Sequence, residues 1–387
     1  MKKRKFLVFL SILLSVFCIG GFVGCPSGNA DYDPLLSWNE GGTKQGIVNF
    51  VEDVTNPSSD NYVPPSDRIA TFDNDGTLWT EKPEYIQESF IKYRLTNALP
   101  ALQKLPSLTE KDVMVKDLIL EYIQPEPLTP EEYKQKARDF LDNSLHPYLG
   151  VPYIELTYQP MVELVNYLQS NDFKVYICSG GGLDFIRSFA EDAYGIPPEN
   201  VIGSTVQTEY IAQGDGSYLL VRKPELVQPI NDGLGKPVGI ERYIGKKPIM
   251  AVGNSSGDLP MLDYTDDNQG PALMMLLHHD DPRECPYAAD EPDIDCPYDK
   301  KSESNFNVFD VANERGWTVI SMKDDFVTVY GDITQSITPS ITPSITPLDN
   351  VSGSEQASGD ENQFGYRRRA KYQHSVRSSV AGRYRRY

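Results

Sequence analysis

Cysteine and histidine are scarce in this chain of 387 residues, which has five Cys and four His. No two cysteines stand two to four residues apart, and the histidines add no ligand pattern, so the spacing argues against a structural zinc site. Cys285 and Cys296 lie in one loop-like stretch that repeats Cys-Pro-Tyr. In an oxidising compartment they could form a disulfide, and two separate thiols are the alternative.

Basic residues are also few, since 36 Lys and Arg face 55 Asp and Glu, for a formal net charge of -19. The bases concentrate at the two ends: residues 1–5 hold four and residues 363–387 hold eight, with no acid in either stretch. The middle of the chain is therefore strongly acidic. It would repel nucleic acid and anionic membrane surfaces, so no nucleic-acid partner is expected. The acidity is also explained by solubility alone.

The N-terminus has the pattern of an export signal, in which a basic start is followed by the apolar run 6–24 and small residues. The end of this run, "FVGC", resembles a bacterial lipoprotein box with Cys25 as the acylated residue, although Phe22 replaces the usual Leu. An uncleaved helix is the alternative, because about 20 apolar residues can span a bilayer. Both interpretations predict an extracytoplasmic, membrane-anchored protein on the periplasmic side or the cell surface.

Composition divides the rest of the chain into four parts. Residues 26–65 are polar and are predicted to be a tether with some helix near 44–54. A globular region follows to residue 330. Three "SITP" units then occupy 336–347, and the chain ends in a basic, Tyr-rich tail. Such repeats cannot build a core, so residues 331–387 are predicted to be a linker and a disordered basic tail.

Apolar strands alternate with amphipathic helices in the globular region. This rhythm predicts an α/β fold with a Rossmann-like, mostly parallel sheet and with ligands at the carboxyl ends of its strands. About 100 residues separate the first two strands, far more than a crossover needs. The core is therefore assigned to 66–81 and 156–330, and residues 82–155 to an inserted helical cap. Four local predictions are a first strand at 69–72, a helix at 160–170, a strand at 173–182 and a hairpin at 201–222.

The first strand ends in two carboxylates, Asp73 and Asp75. They could be a catalytic pair, a calcium loop or a polar turn. A calcium loop with Gly76 as its turn glycine would need an acid or Asn at position 71 and an acid at position 82. Thr71 and Lys82 occupy those positions, which excludes this reading.

Later strands also end in residues that can handle a phosphate. Ser179 precedes Gly180 and two more glycines at a predicted helix N-terminus, where free N–H groups attract anions. Lys236 follows a glycine-bearing loop, and Asn254 and Asp258 follow the strand near 250. Brought to one sheet edge, Asp73 and Asp258, the Asn254 amide and the main-chain carbonyl of Asp75 could hold Mg²⁺. Asp73 could then attack phosphorus and Asp75 could move the proton.

The motifs "DNDGT", "CSGGG", "GK" and "GNSSGDLPML" resemble, in this order, the four motifs of haloacid dehalogenase superfamily phosphatases. The resemblance covers roughly residues 66–330 and is greatest to a secreted or membrane-tethered branch similar to phosphoserine phosphatases. It implies a Rossmann-like core with a helical cap and a Mg²⁺ cofactor. Many members have Asp where this chain has Asn254, which puts the metal geometry in question. The implied roles are a nucleophile (Asp73), an acid/base (Asp75), phosphate-side groups (Thr77, Ser179, Gly180), a motif lysine (Lys236) and metal-side residues (Asp73, Asp75, Asn254, Asp258).

The resemblance and the motifs together predict a Mg²⁺-dependent phosphatase that hydrolyses a small phosphorylated metabolite. A phosphotransferase and a non-catalytic, ligand-binding lipoprotein on the same fold are the alternatives, because a fold does not specify an activity. Glu81 and Glu84 could meet a cationic group of the substrate or could simply begin a helix. The pair His278-His279 is predicted to be structural.

Overall fold

Six short parallel strands form the central sheet in the computed structural model, which describes residues 33–98, 113–117, 119, 127–291, 294, 296–297 and 307–332. The strand order is β3-β2-β1-β6-β7-β8, and β1 pairs with β2 on one side and with β6 on the other. The chain therefore reverses its direction across the sheet at β1, where ligands bind in open α/β sheets. These strands are β1 (Ile69–Phe72), β2 (Lys174–Gly182), β3 (Val201–Ser204), β6 (Met250–Gly253), β7 (Leu273–His278) and β8 (Thr318–Ser321).

Helices cover the sheet. The helix α4 shows the rule that places them: its residues Met161, Leu164, Val165 and Leu168 share one face and are buried against the core. This helix and the α/β class are predicted from the sequence and confirmed. The described helices are α1 (Gly42–Thr55), α2 (Ile86–Ala98), α3 (Pro130–Asn143), α4 (Gln159–Ser170), α5 (Leu183–Ile186), α6 (Ala190–Tyr194), α7 (Gly235–Tyr243), α8 (Leu259–Asp266), α9 (Val308–Arg315) and α10 (Met322–Asp325).

The described part of the inserted segment 82–155 is largely helical and includes α2, a helical stretch at 113–117 and α3. Thr129 caps α3 through a reciprocal pair of hydrogen bonds with Glu132. The ring of Phe90 in α2 stacks on Phe185 in α5, with centroids 5.6 Å apart. The inserted helices thus pack on the residues that follow β2. Their status as a separate cap domain stays a prediction.

The predicted hairpin at 201–222 is wrong in its first strand. Residues 201–204 form β3, which joins the parallel sheet beside β2. The hairpin is made by β4 (Val206–Ala212) and β5 (Tyr218–Leu226), which pair antiparallel around the predicted turn. Strand periodicity locates extended segments but does not say which neighbour each one pairs with.

The prediction of a tether at 26–65 is wrong over its described residues, 33–65, although the helix predicted near 44–54 is present as α1. In α1, Ile47, Val51 and Val54 form a buried stripe with the spacing of one helical face. Trp38 packs edge-on against Phe326, with ring centroids 5.1 Å apart. The globular core therefore begins before residue 66.

Cys285 and Cys296 are joined in a disulfide, which decides between the two alternatives that the sequence leaves open. The predicted signal peptide 1–25 with Cys25, the SITP repeats and the basic tail lie outside the described residues. Among the helices that the structure does describe, none combines the length and the apolar character needed to cross a bilayer.

Candidate active site

The end of β1 places the two aspartates of the first motif in the middle of the sheet edge. Asp73 continues the strand, because its backbone N–H donates to the carbonyl of Val252 in β6 at 2.9 Å. The Asp75 carboxylate accepts a hydrogen bond from the indole N–H of Trp79 on Oδ1, at 2.7 Å. Asp73 and Asp75 are 3% and 5% exposed, so this loop is not a solvent-exposed polar turn.

Gly76 forms the sharp turn that directly follows these aspartates. Its φ of +74° lies in the left-handed region, which other residues rarely adopt. A Cβ at this position would also lie 2.0 Å from Nδ2 of Asn254 and 2.8 Å from the carboxyl carbon of Glu81. The site therefore needs glycine here both for its backbone angle and for space.

The end of β2 places Ser179 beside the first motif. A Cβ built on Gly181 would lie 3.3 Å from Oγ of Ser179 and 3.4 Å from Oδ2 of Asp75, so these two polar groups converge on the same glycine. The N–H of Gly181 donates to Oγ of Ser179 at 3.0 Å. Gly180 is held by its carbonyl, which accepts from the Ser204 hydroxyl at 2.7 Å.

Helix α2 reaches the same loop through Gln87. The Gln87 side-chain oxygen accepts a hydrogen bond from the N–H of Gly182 at 2.8 Å. This backbone group is one that the sequence interpretation assigns to phosphate. Gln87 is a site residue that the sequence analysis missed, since nothing in the spacing of α2 distinguishes it from other polar helix residues. This hydrogen bond joins the inserted segment to the glycine residues at the end of β2.

Lys236, in the first turn of α7, is a buried cation that contacts the carboxylates of Asp73 and Asp258. Its ammonium lies 2.6 Å from Oδ1 of Asp73 and 2.6 Å from Oδ1 of Asp258, and the residue is 1% exposed. The second oxygen of Asp258 accepts from the backbone N–H groups of Asn254 and Ser255, each at 2.9 Å. Asp258 thus holds both the lysine and the loop after β6.

Asn254 directly follows β6, and several neighbours orient its side-chain amide. Its Oδ1 accepts from the hydroxyl of Thr77 at 3.4 Å, and its Nδ2 donates to Oε1 of Glu81 at 3.4 Å. Glu81 therefore faces the loop after β6. Glu84, by contrast, bonds to the Ser89 hydroxyl at 2.6 Å and pairs with Lys92.

Burial and charge shift the two acids of the lysine pair in opposite directions. Burial raises the pKa of Asp73 to about 8, and the charge of Asp258 acts in the same sense against the influence of Lys236. Burial also opposes ionisation of Asp258, but the charge and hydrogen bond of Lys236 outweigh it and hold the pKa of Asp258 below its ordinary value. Asp258 also accepts hydrogen bonds from the backbone N–H groups of Asn254 and Ser255, which lower its pKa in the same sense as Lys236.

The residues that the sequence predicts for Mg²⁺ suit such an ion. The donors are oxygens, namely the Asp73 carboxylate, the Asp75 main-chain carbonyl and the Asn254 amide, and magnesium prefers oxygen ligands. A further cation would also offset the burial penalty on Asp73. Asp258 is a weaker candidate, because both of its oxygens accept hydrogen bonds from protein donors. The chemical roles of these residues stay predictions.

All the predicted catalytic, phosphate-side and metal-side residues thus lie along one sheet edge. Trp79, Gln87 and His279 are the site residues that the analysis missed or assigned otherwise. Trp79 lies two residues after the first motif, and its contact with Asp75 is a feature that the motif itself does not predict. His279 lies 3.2 Å from Nδ2 of Asn254, although the sequence predicts only a structural role for it.

A model of the family described as haloacid dehalogenase-like hydrolase matches residues 70–263. No curated protein matches the sequence. Among solved structures, a protein of unknown function from Bordetella pertussis Tohama I is similar, with 16% identity and a TM-score of 0.42 over 66% of this chain and 98% of that chain.

A second similar structure is a phosphoserine phosphohydrolase-like protein from Francisella tularensis subsp. tularensis SCHU S4. It shares 20% identity over 64% of this chain and 99% of that chain, with a TM-score of 0.32. The family model spans the first motif, the serine-glycine loop, Lys236 and Asp258, which are the residues gathered at the sheet edge. The chain belongs to the family of haloacid dehalogenase-like hydrolases.

Proposed function

We propose that this protein is a Mg²⁺-dependent phosphatase that hydrolyses small phosphomonoesters through an aspartyl-phosphate intermediate. The observation that carries the proposal is the contact of the Lys236 ammonium with Asp73 at the carboxyl edge of the sheet. A lysine in this place lowers the charge repulsion between a carboxylate nucleophile and a phosphate dianion. A purely structural role for the buried Asp73 carboxylate would not explain why Asp75 and Ser179 lie at the same edge of the sheet.

Asp73 is the proposed nucleophile. One of its oxygens is held by Lys236, and its other oxygen attacks phosphorus as the bond to the leaving alcohol breaks. The product of this step is a phosphoryl group on the Asp73 carboxylate and an alkoxide that requires a proton. When bound, Mg²⁺ would act as a Lewis acid that offsets the negative charge of the phosphoryl oxygens.

Asp75 is the proposed acid and base. Trp79 holds Oδ1, which leaves Oδ2 directed towards Gly181 and the Ser179 hydroxyl. From there Asp75 donates a proton to the leaving alkoxide and then removes a proton from the water that hydrolyses the aspartyl-phosphate. Ser179 binds the phosphoryl oxygens together with backbone N–H groups of the glycine loop. The enclosure of the site beneath α2 favours a small substrate.

The test is phosphate release from an aryl phosphate with Mg²⁺ and with a chelator. The wild-type protein should turn over only with the metal, and Asp73→Asn should lower kcat at least about 10³-fold, since it removes the nucleophile. Asp263→Asn, the same change on the exposed side of α8, is the control and should retain full activity. Ligand binding without turnover under any divalent metal would instead support the non-catalytic alternative. Transfer of phosphate to an added alcohol would support the phosphotransferase.

We also propose that the protein works outside the cytoplasm, anchored at the membrane by its N-terminal segment. The apolar run after a basic start supports this location, and so does the Cys285–Cys296 disulfide, since disulfides persist in oxidising compartments. Labelling cells with a radioactive fatty acid tests the anchor. Cys25→Ala should abolish the label on the protein, and a label that survives this change would rule out Cys25 as the lipidated residue.

A further inference from the structure

Asn254 raises a question of orientation that an aspartate would not. A carboxylate presents an oxygen at either end, whereas an amide presents one oxygen and one NH₂ group, and only the oxygen can bind a cation. Rotation of the amide by half a turn would direct its two N–H bonds at the proposed metal position. The protein therefore needs contacts that keep the side-chain oxygen of Asn254 turned towards the proposed metal position.

His279 supplies a contact that sets this orientation. Its Nε2 lies 3.2 Å from Nδ2 of Asn254, at hydrogen-bonding distance, and both residues are 1% exposed. The Glu81 carboxylate accepts from the same nitrogen at 3.4 Å. With the NH₂ group between these two acceptors, the oxygen of the amide faces the Thr77 hydroxyl and the first motif.

This arrangement works only if Nε2 of His279 is an acceptor, and Glu284 provides for that. Nδ1 of His279 lies 3.0 Å from Oε2 of Glu284, so the imidazole carries its proton on Nδ1 and presents a lone pair on Nε2. Two tyrosines hold Glu284 in turn. The Tyr158 hydroxyl donates to Oε1 of Glu284 at 2.5 Å, and the Tyr330 hydroxyl donates to the main-chain carbonyl of Glu284 at 2.9 Å. Glu284 directly precedes Cys285 of the disulfide.

The same contacts explain why an amide suits position 254 better than a carboxylate would. An ionised aspartate at 254 would face the lone pair of His279 and the carboxylate of Glu81, and both contacts would be repulsive. The NH₂ group of an amide instead donates a hydrogen bond to each of these two acceptors. The amide of Asn254 therefore matches its two neighbours, His279 after β7 and Glu81 after the first motif.

We propose that His279, held by Glu284, is a positioning residue that keeps the Asn254 amide oxygen directed at the metal site. The proposal rests on the proposed function only in assuming that a divalent cation binds beside Asp73. It predicts that the importance of His279 depends on the residue at 254, because a carboxylate needs no orientation.

The experiment is a titration of the full chain with Mn²⁺, followed by electron paramagnetic resonance without substrate. Asp73→Asn identifies binding elsewhere on the acidic surface, and this binding is subtracted. In the Asn254 background, His279→Leu should weaken Mn²⁺ binding about 10-fold, the lower end of the effect of residues behind metal ligands. In the Asn254→Asp background, the same change should alter the dissociation constant less than about 2-fold, since either carboxylate oxygen can bind.

Two further variants keep the test decisive. His279→Gln can place an oxygen acceptor near the Nε2 position and should recover most of the affinity lost in His279→Leu. Glu284→Gln can donate to Nδ1 and so favour the other tautomer, and it should weaken binding even if His279→Leu does not fold. His278→Leu is the matched control on the adjacent residue and should leave Mn²⁺ binding unchanged.

Equal loss in both backgrounds would overturn the proposal, because it would show that His279 only supports the fold. An unchanged dissociation constant in His279→Leu or in Glu284→Gln with Asn254 present would overturn it as well. Failure of the proposed function is distinguishable, because the wild-type protein would then bind Mn²⁺ with these dependences and yet release no phosphate.

Discussion

At the carboxyl edge of the sheet, the buried carboxylates of Asp73, Asp75, Glu81 and Asp258 share a site with the ammonium of Lys236. A second group of charges lies where the inserted helices meet β5, and we call it the arginine cluster. Its two guanidinium groups are matched by two carboxylates. The cluster consists of Arg94, Asp117, Tyr133, Asp184 and Arg222.

Among the residues that the structure describes, the charges of the arginine cluster pair with one another. Asp117 accepts from Arg94 at 2.7 Å, from Arg222 at 3.2 Å and from the Tyr133 hydroxyl at 2.8 Å. The Arg222 guanidinium also lies over the Tyr133 ring, 3.7 Å from its centroid, and pairs with Asp184. Such a balanced set holds elements together and has no use for a further ion.

In the part of the chain that the structure describes, the active site differs in that one ammonium, that of Lys236, contacts two carboxylates, those of Asp73 and Asp258, and the pKa of Asp73 is raised by burial and by the charge of Asp258. A buried group of charges that is left unbalanced costs stability. Its persistence at the sheet edge is explained if a cation and a phosphate complete it. The balance of charge thus separates a structural cluster from a site built for ligands.

The largest expected effect is on stability and concerns the arginine cluster. Arg222→Met leaves Asp117 and Asp184 without the buried cation between them and should lower the free energy of unfolding by about 3–5 kcal/mol. Urea denaturation measures it. Arg138→Met is the control, since its partners Asp142 and Asp192 are exposed, and it should cost less than about 1 kcal/mol. A loss of the same size in both variants would remove the distinction between the cluster and a surface pair.

The next effect comes from the metal. Mg²⁺ at 100 times its dissociation constant should raise the free energy of unfolding of the wild-type protein by about 2.7 kcal/mol. Asp73→Asn should lose most of this gain because it removes a ligand, whereas Arg222→Met should keep it, as its cluster needs no ion. Thermal unfolding with and without Mg²⁺ measures both. An undiminished gain in Asp73→Asn would place the metal elsewhere.

The last effect is the pH dependence of the metal-free protein, for which the sign is the test. The pKa of Asp73 is raised in the fold, so its contribution to stability is complete below the unfolded value near 4 and is lost as pH rises through about 8. We expect the free energy of unfolding of the wild type, relative to that of Asp73→Asn, to fall between pH 5 and pH 8, because the folded protein holds the Asp73 proton more tightly than the unfolded chain does. A relative stability that rises over this range would show that Lys236 favours the ionised form of Asp73.

Short-range patterns were sufficient to predict much of the site. The polar residues directly after apolar strands, such as Asp73 and Ser179, were predicted correctly as neighbours, because parallel strands end at one edge. The helix α4 was predicted from its apolar face. Two of the residues missed reach the site from elsewhere in the chain: Gln87 comes from α2, and His279 follows β7. Their position depends on packing, which no local spacing encodes.

The amino-acid sequence was enough to establish the α/β class, the order of the motifs and the residues at the ends of β1, β2 and β6, since these follow from hydrophobic periodicity and from polar residues next to it. Folding in three dimensions was needed to bring α1 into the core, to move residues 201–204 from the hairpin into the sheet, and to set His279 against Asn254. These features rest on contacts between segments far apart in the chain, and side-chain packing and burial select them.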